Sequence, residues 1–125
     1  MLFRSKSTFS TMKSWLVTPG INLSGGTNPK FNFTTVDGYD NGATIKVYIS
    51  TNYNGSSTPW TSTWTELPVT ISSGHTTGYA PAFVPSGDID LSAYSGTVYF
   101  AFVYEGSDPS KTTTFEVDDV TVTKN

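Results

Sequence analysis

The sequence predicts an all-β protein, an antiparallel β-sandwich of the jelly-roll type, and three features of its 125 residues carry that expectation. Apolar side chains alternate with polar ones at a period of two in several short runs, the pattern of strands with one buried face. No segment sustains helical spacing. Gly, Pro, Asn and Asp gather between the runs, where turns need them. About eight or nine short strands suit one sandwich. Residues 1–125 are expected to form a single domain, a length that buries a core without disulfides or metals.

A weak strand is expected within Leu2 to Phe9, and a further one over Ser14 to Val17. Phe31 and Phe33 alternate with Asn32 and Thr34. The turn-rich run Asp37-Gly38-Tyr39-Asp40-Asn41-Gly42 follows, so Phe31–Thr34 and Ala43–Ser50 are expected as adjacent antiparallel strands. In the second of these, Ala43, Ile45, Val47 and Ile49 alternate with Thr44, Lys46, Tyr48 and Ser50. Asn52 to Thr63 reads as a long loop. Short strands are expected at Trp64 to Leu67, Tyr79 to Val84 and Asp88 to Leu91.

Gly96 to Glu105 is apolar on both faces, with Val98, Phe100, Phe102 and Tyr104 on one and Tyr99, Ala101 and Val103 on the other, as a central strand requires. In the last strand, Thr113 to Thr123, Phe115 and Val117 have one parity and Val120 and Val122 the other. A β-bulge at Asp118-Asp119 would bring all four to the core and turn carboxylates toward a local site.

Composition limits the chemistry. Net charge is −3, with the basic residues scattered from Arg4 to Lys124, which disfavours a nucleic-acid partner. No apolar run is long enough to insert in a membrane. Cysteine is absent and His75 is the single histidine, so thiol and familiar zinc chemistry are not expected. His75 lies in Ser72-Ser73-Gly74-His75-Thr76-Thr77-Gly78 and is expected to be a solvated loop side chain. Neither a nucleophile elbow nor a phosphate-binding loop is present. A glycosidase needs only two carboxylates at a set separation, but most of the ten here fall in turns, where Asp caps backbone N–H groups, so no enzyme is expected.

The segment Ser14-Trp15-Leu16-Val17-Thr18-Pro19-Gly20-Ile21-Asn22-Leu23 resembles the Trp-Leu-Pro signature of bacterial choice-of-anchor and cleaved-adhesin type domains. So do Ile49 to Gly55, Ser86 to Tyr94 with Val98 to Tyr104, and Phe115 to Val120. The match runs over residues 14–123. The resemblance implies a jelly roll related in shape to MAM domains and carbohydrate-binding modules, appended to secreted bacterial proteins beside other domains. It also implies an extracellular or cell-surface location. Such domains carry further strands before this signature, whereas thirteen residues precede Ser14, so residues 1–13 are expected to form a truncated edge open to homodimerisation.

Some related jelly rolls hold a structural calcium near the C-terminal motif, which makes Asp118 and Asp119 the leading metal candidates. Asp37 with Asp40, and Asp88 with Asp90, are lesser ones. Calcium collects hard oxygens from carboxylates and carbonyls in such loops. The plainer reading is that Asp118 caps a loop while Asp119 faces water, and that the other four carboxylates serve turns.

Aromatic residues carry the case for a glycan, whose C–H faces pack on rings. By parity Tyr48 and Tyr99 leave the core and can share a platform on an outer sheet face, with Trp60, Tyr53 and Tyr39 on a loop rim. Trp15, Trp64, Phe31 and Phe33 are expected in the core. The sequence therefore points to a non-catalytic module that binds a glycan or cell-surface component. The alternative is a structural spacer whose aromatics are all buried.

Overall fold

The computed structural model describes residues 2–3, 11–107 and 110–124. Most of the predicted period-two runs become strands, because each can bury one face only against a second sheet. In chain order they are β1 (Leu2–Phe3), β2 (Met12–Val17), β3 (Ile21–Asn22), β4 (Lys30–Gly38), β5 (Thr44–Ser50), β6 (Thr65–Glu66), β7 (Val84–Pro85), β8 (Ile89–Asp90), β9 (Thr97–Gly106) and β10 (Thr114–Thr123). All pair antiparallel, in two five-stranded sheets.

The first sheet runs β1-β10-β4, with β7 and β8 along the far edge of β4; the second runs β2-β9-β5-β6, with β3 also on β9. The fold is an antiparallel β-sandwich. Phe31, Phe33, Phe115, Val117 and Ile89 from the first sheet meet Ile45, Val47, Ile49, Val98, Phe100, Phe102 and Tyr104 from the second in one buried cluster. Phe31 stacks on Phe100 across the gap, centroids 3.9 Å apart. The Tyr104 hydroxyl, buried there, donates to the Thr113 carbonyl at 2.8 Å, as a buried phenol must find a partner.

β9 is the central strand its composition predicts, flanked by β2 and β5. The bulge in β10 also forms. Thr114 to Asp118 pair with Gly38 to Thr34, the register shifts between Asp118 and Thr121, and pairing resumes with Thr121 opposite Asn32 and Val122 opposite Phe31. Asp119 takes φ of 52° at the bulge, a conformation Asp tolerates better than most side chains. Phe115 and Val117 are buried, and Val122 packs against the core. Val120, expected inside, is exposed, because it lies within the unpaired bulge.

Other expectations need correction. β4 and β5 are not hairpin partners: β4 pairs β10 and β5 pairs β9, so the turn-rich run carries the chain from one sheet to the other. β4 continues through Asp37 and Gly38. Thr113 holds the crossing in place, its Oγ1 accepting from the Asn41 and Ala43 N–H groups. The expected strand over Tyr79 to Val84 shrinks to Val84–Pro85 and a bridge of Tyr79 to Gly38, since Pro81 and Pro85 offer no N–H to a ladder. Phe31 and Phe33 lie in the core, but Trp15 and Trp64 do not. Each is partly exposed, and the Trp15↔Val103 pairing places Trp15 on the outer face of the second sheet. Of the expected strand within Leu2 to Phe9, only β1 lies among the described residues.

Candidate functional site

Among the described residues, aromatic side chains gather at the surface on the outer face of the second sheet and at the end where the chain crosses from β4 to β5.

On the outer face, Ala101 and Val103 of β9 are 0% and 1% exposed although they point away from the core. Rings from the flanking strands and from β9 itself share this face with them: the registers Val17↔Ala101, Trp15↔Val103, Tyr48↔Ala101 and Ser50↔Tyr99 put Trp15, Tyr48 and Tyr99 there. The rings follow one another as Tyr48, Trp15, Trp64, Tyr53 and Tyr99, with successive centroids 6.3, 5.6, 5.5 and 4.9 Å apart. All five are half-buried.

The long loop after β5 supplies Tyr53 and Trp64 and is braced from within. Tyr53 donates its hydroxyl to the Ser56 carbonyl, and Trp64 donates Nε1–H to the Pro59 carbonyl at 2.8 Å. The same loop carries Trp60 on a 3-10 turn, Pro59–Thr61, with 61% of its surface exposed. Gly20 lets the Tyr99 ring lie close, since a Cβ there would stand 3.0 Å from the ring.

Charges edge this face in balance. Lys13 reaches Glu105 at 3.7 Å and lies 5.9 Å from the Trp15 ring centre, while Glu66 is registered with Tyr48. Burial, then the negative Glu66, hold the Tyr48 phenol above its ordinary value, so it remains a neutral O–H donor at physiological pH.

The other group is built on Asp37. Its parity with Phe31, Phe33 and Thr35 turns the carboxylate inward, and it is 0% exposed. A buried carboxylate requires donors. Ser72 gives its hydroxyl and His75 its backbone N–H, at 2.9 Å, and its ring Nδ1, at 2.7 Å. Burial alone would raise the Asp37 carboxyl; the bonds from Ser72 and His75 outweigh it and hold the group below its ordinary value. His75 is thus not the freely solvated side chain expected, although 39% of its side chain is exposed.

Asp40 ties the same loops together, accepting from the Gly42 N–H at 3.1 Å, the Gly74 N–H at 2.7 Å and the Thr113 hydroxyl at 3.1 Å. Beside them Tyr39, at φ of 50°, meets Tyr79 edge to face at 5.4 Å. Residues 21–124 match the family described as Domain of unknown function (DUF5017). The chain belongs to that family. No curated protein matches it.

The DUF5017 domain thus brings Tyr48, Tyr53 and Tyr99 together on one face, with Trp60 on the loop beside them and Tyr39 at the end of the sandwich. Several of its carboxylates are engaged in local bonds. Asp88 accepts from the Asn32 amide at 2.9 Å. Asp90 accepts from the Ser92 N–H and hydroxyl, and those bonds hold its carboxyl below the ordinary value. Asp118 and Asp119 are exposed, and Asp118 Oδ1 accepts from the Asp119 N–H at 2.8 Å. Among the described residues no three His, Cys, Asp or Glu side chains gather as a metal site would. No helix among them is long and apolar enough to cross a membrane.

Sequence reasoning misses the Asp37–His75 pair because Asp37 opens a turn-rich run. The signal is present in the alternation Phe31, Phe33, Thr35, Asp37, which extends the core-facing parity to a carboxylate. It also misses Trp15 and Trp64 as members of the outer row, because parity fixes which residues share a face and not which face is covered.

Proposed function

We propose that this DUF5017 domain is a non-catalytic, extracellular binding module that attaches its parent protein to a glycan or cell-surface component through the outer face of the second sheet. The observation that carries the reading is the half-buried row Tyr48, Trp15, Trp64, Tyr53 and Tyr99, with Trp60 exposed on its loop. A spacer would have no use for such a row, and leaving large rings wet marks a surface that is meant to be covered. Sugar rings present C–H faces for such a surface, and the Tyr48 phenol and the Lys13, Lys46 and Glu66 side chains offer partners to their hydroxyls.

The jelly-roll reading and the kinship with choice-of-anchor and cleaved-adhesin domains belong to the same proposal. Support comes from the strand order, in which the first strand pairs the last and the chain alternates between sheets as two Greek keys do. Homodimerisation through the β1 edge of the first sheet is part of this reading too.

The test is thermal unfolding of the domain with a panel of soluble polysaccharides, since whatever binds only the native state raises its melting temperature. A rise with at least one polysaccharide is expected, lost in Trp60→Ala and Tyr99→Ala. Silence across the panel would favour the spacer. The same scans in calcium and in EDTA are expected to coincide, given how Asp118 is bonded; a rise in calcium that Asp118→Ala abolishes would restore the metal site.

A further inference from the structure

We infer a second ligand site at the end of the sandwich, in which Tyr39 and Tyr79 form a stacking corner and the Nε2 of His75 accepts a hydroxyl from one sugar residue. The choice of a sugar rests on the glycan-binding reading above; the place and the residues do not.

The imidazole is held in one state of hydrogen bonding. Asp37 is ionised and fully buried, so Nδ1 must carry a proton to meet its Oδ1 at 2.7 Å. In the neutral ring the lone pair therefore lies on Nε2. Among the described residues Nε2 has no hydrogen-bond partner. A histidine prepared in this way could also serve a metal, but among the described residues no three His, Cys, Asp or Glu side chains gather as such a site would need. What the site offers instead is an acceptor nitrogen on the loop that also carries Tyr79, joined through its backbone to the loop that carries Tyr39.

The surface of these two rings is fixed rather than incidental. Tyr39 and Tyr79 are 56% and 50% exposed, unusual for neighbouring large rings. The Tyr39 N–H donates to the Gly78 carbonyl at 3.0 Å, and the Asp40 N–H donates to the His75 carbonyl at 2.9 Å. The two loops that carry the rings and the imidazole are thereby clamped side by side. Gly38 is needed for this, since a Cβ there would lie 2.3 Å from the Tyr79 ring. Tyr39 keeps a positive φ that an aromatic residue rarely adopts, and such conformations persist at ligand-binding positions. Strand addition does not explain the exposed apolar segment from Tyr79 to Pro85, because Pro81 and Pro85 leave its backbone short of donors.

The two sites can be read separately by NMR, because the three tryptophans belong to the outer face and its loop, whereas the only histidine is here. Labelled protein would be titrated with cellotetraose, xylotetraose, mannotetraose and chitotriose while the His75 and tyrosine ring signals and the tryptophan indole N–H signals are followed. At least one sugar is expected to move the His75 and Tyr39 or Tyr79 signals, in the wild type and equally in Trp60→Ala. His75→Ala and Tyr39→Gly are expected to weaken that response by about tenfold or more. Tyr39→Gly suits the positive φ, so it should keep the fold. If the indole signals respond to a sugar and His75 does not, this second site is refuted and the outer-face reading survives. If His75 responds and the indoles do not, the reverse holds, and silence from both overturns both.

Discussion

Asp37 shows how one side chain can decide local structure. Its carboxylate replaces water with Ser72 and His75, and so fastens the loop from Ser72 to Tyr79 onto the end of β4. Asp37→Asn keeps the shape but loses the charge and one acceptor, and should lower unfolding free energy by about 1–3 kcal/mol. The pH dependence follows from the sign of the shift. The folded carboxyl titrates below the 3.8 of the unfolded chain. The unfolded chain thus takes up a proton first on acidification. The Asp37 contribution is full above the unfolded value and is lost as pH falls through the folded one. Urea midpoints measured from pH 7 down to pH 2 should show an acid-side loss in the wild type that is smaller in Asp37→Asn, where Asp90 still contributes. Equal slopes in the two proteins would mean that the pair does not stabilise the ionised form.

At the scale of elements, the bulge in β10 makes the sharpest prediction. Before it Phe115 faces Asp37, after it Val122 faces Phe31, and one extra residue separates the two registers. Deleting Asp119 should therefore leave every existing pair in place, relieve a positive φ and turn Val120 toward the core. Its melting temperature should stay within a few degrees of the wild type, equivalent to roughly 1 kcal/mol. Deleting Ala101 from β9 has no such escape. It would turn half of a central strand inside out, and that variant is expected not to fold. Equal damage from the two deletions would mean that the bulge holds the register in some other way. The bulge itself was legible from the parity change between Val117 and Val120. The partners of β4 and β5 were not, because a turn-rich run looks the same whether it reverses a chain within a sheet or carries it across a sandwich.

For the whole molecule, the two sheets meet through the core. Phe31 on the first sheet stacks on Phe100 of the second and touches Phe33 and Phe102 as well. Phe31→Ala is expected to cost about 3–5 kcal/mol, seen as a matching fall in chemical-denaturation midpoint by tryptophan fluorescence and by far-UV circular dichroism. The tryptophans report only on the second sheet, so coincident transitions would show that both sheets unfold as one unit. A cost under about 1 kcal/mol would mean that the stack contributes little.

Period-two alternation, parity changes and turn residues are local properties of the chain, and they were enough for an all-β sandwich, the central place of β9, the bulge in β10 and the core positions of Phe31 and Phe33. Which strand pairs with which, and which outward face is lined by rings, depend on contacts between residues far apart in sequence. Trp15 and Trp64 are therefore on the outside despite their apolar bulk, gathered on the face that Ala101 and Val103 share. Asp37 is inside despite its charge, because only the folded chain brings Ser72 and His75 close enough to satisfy it.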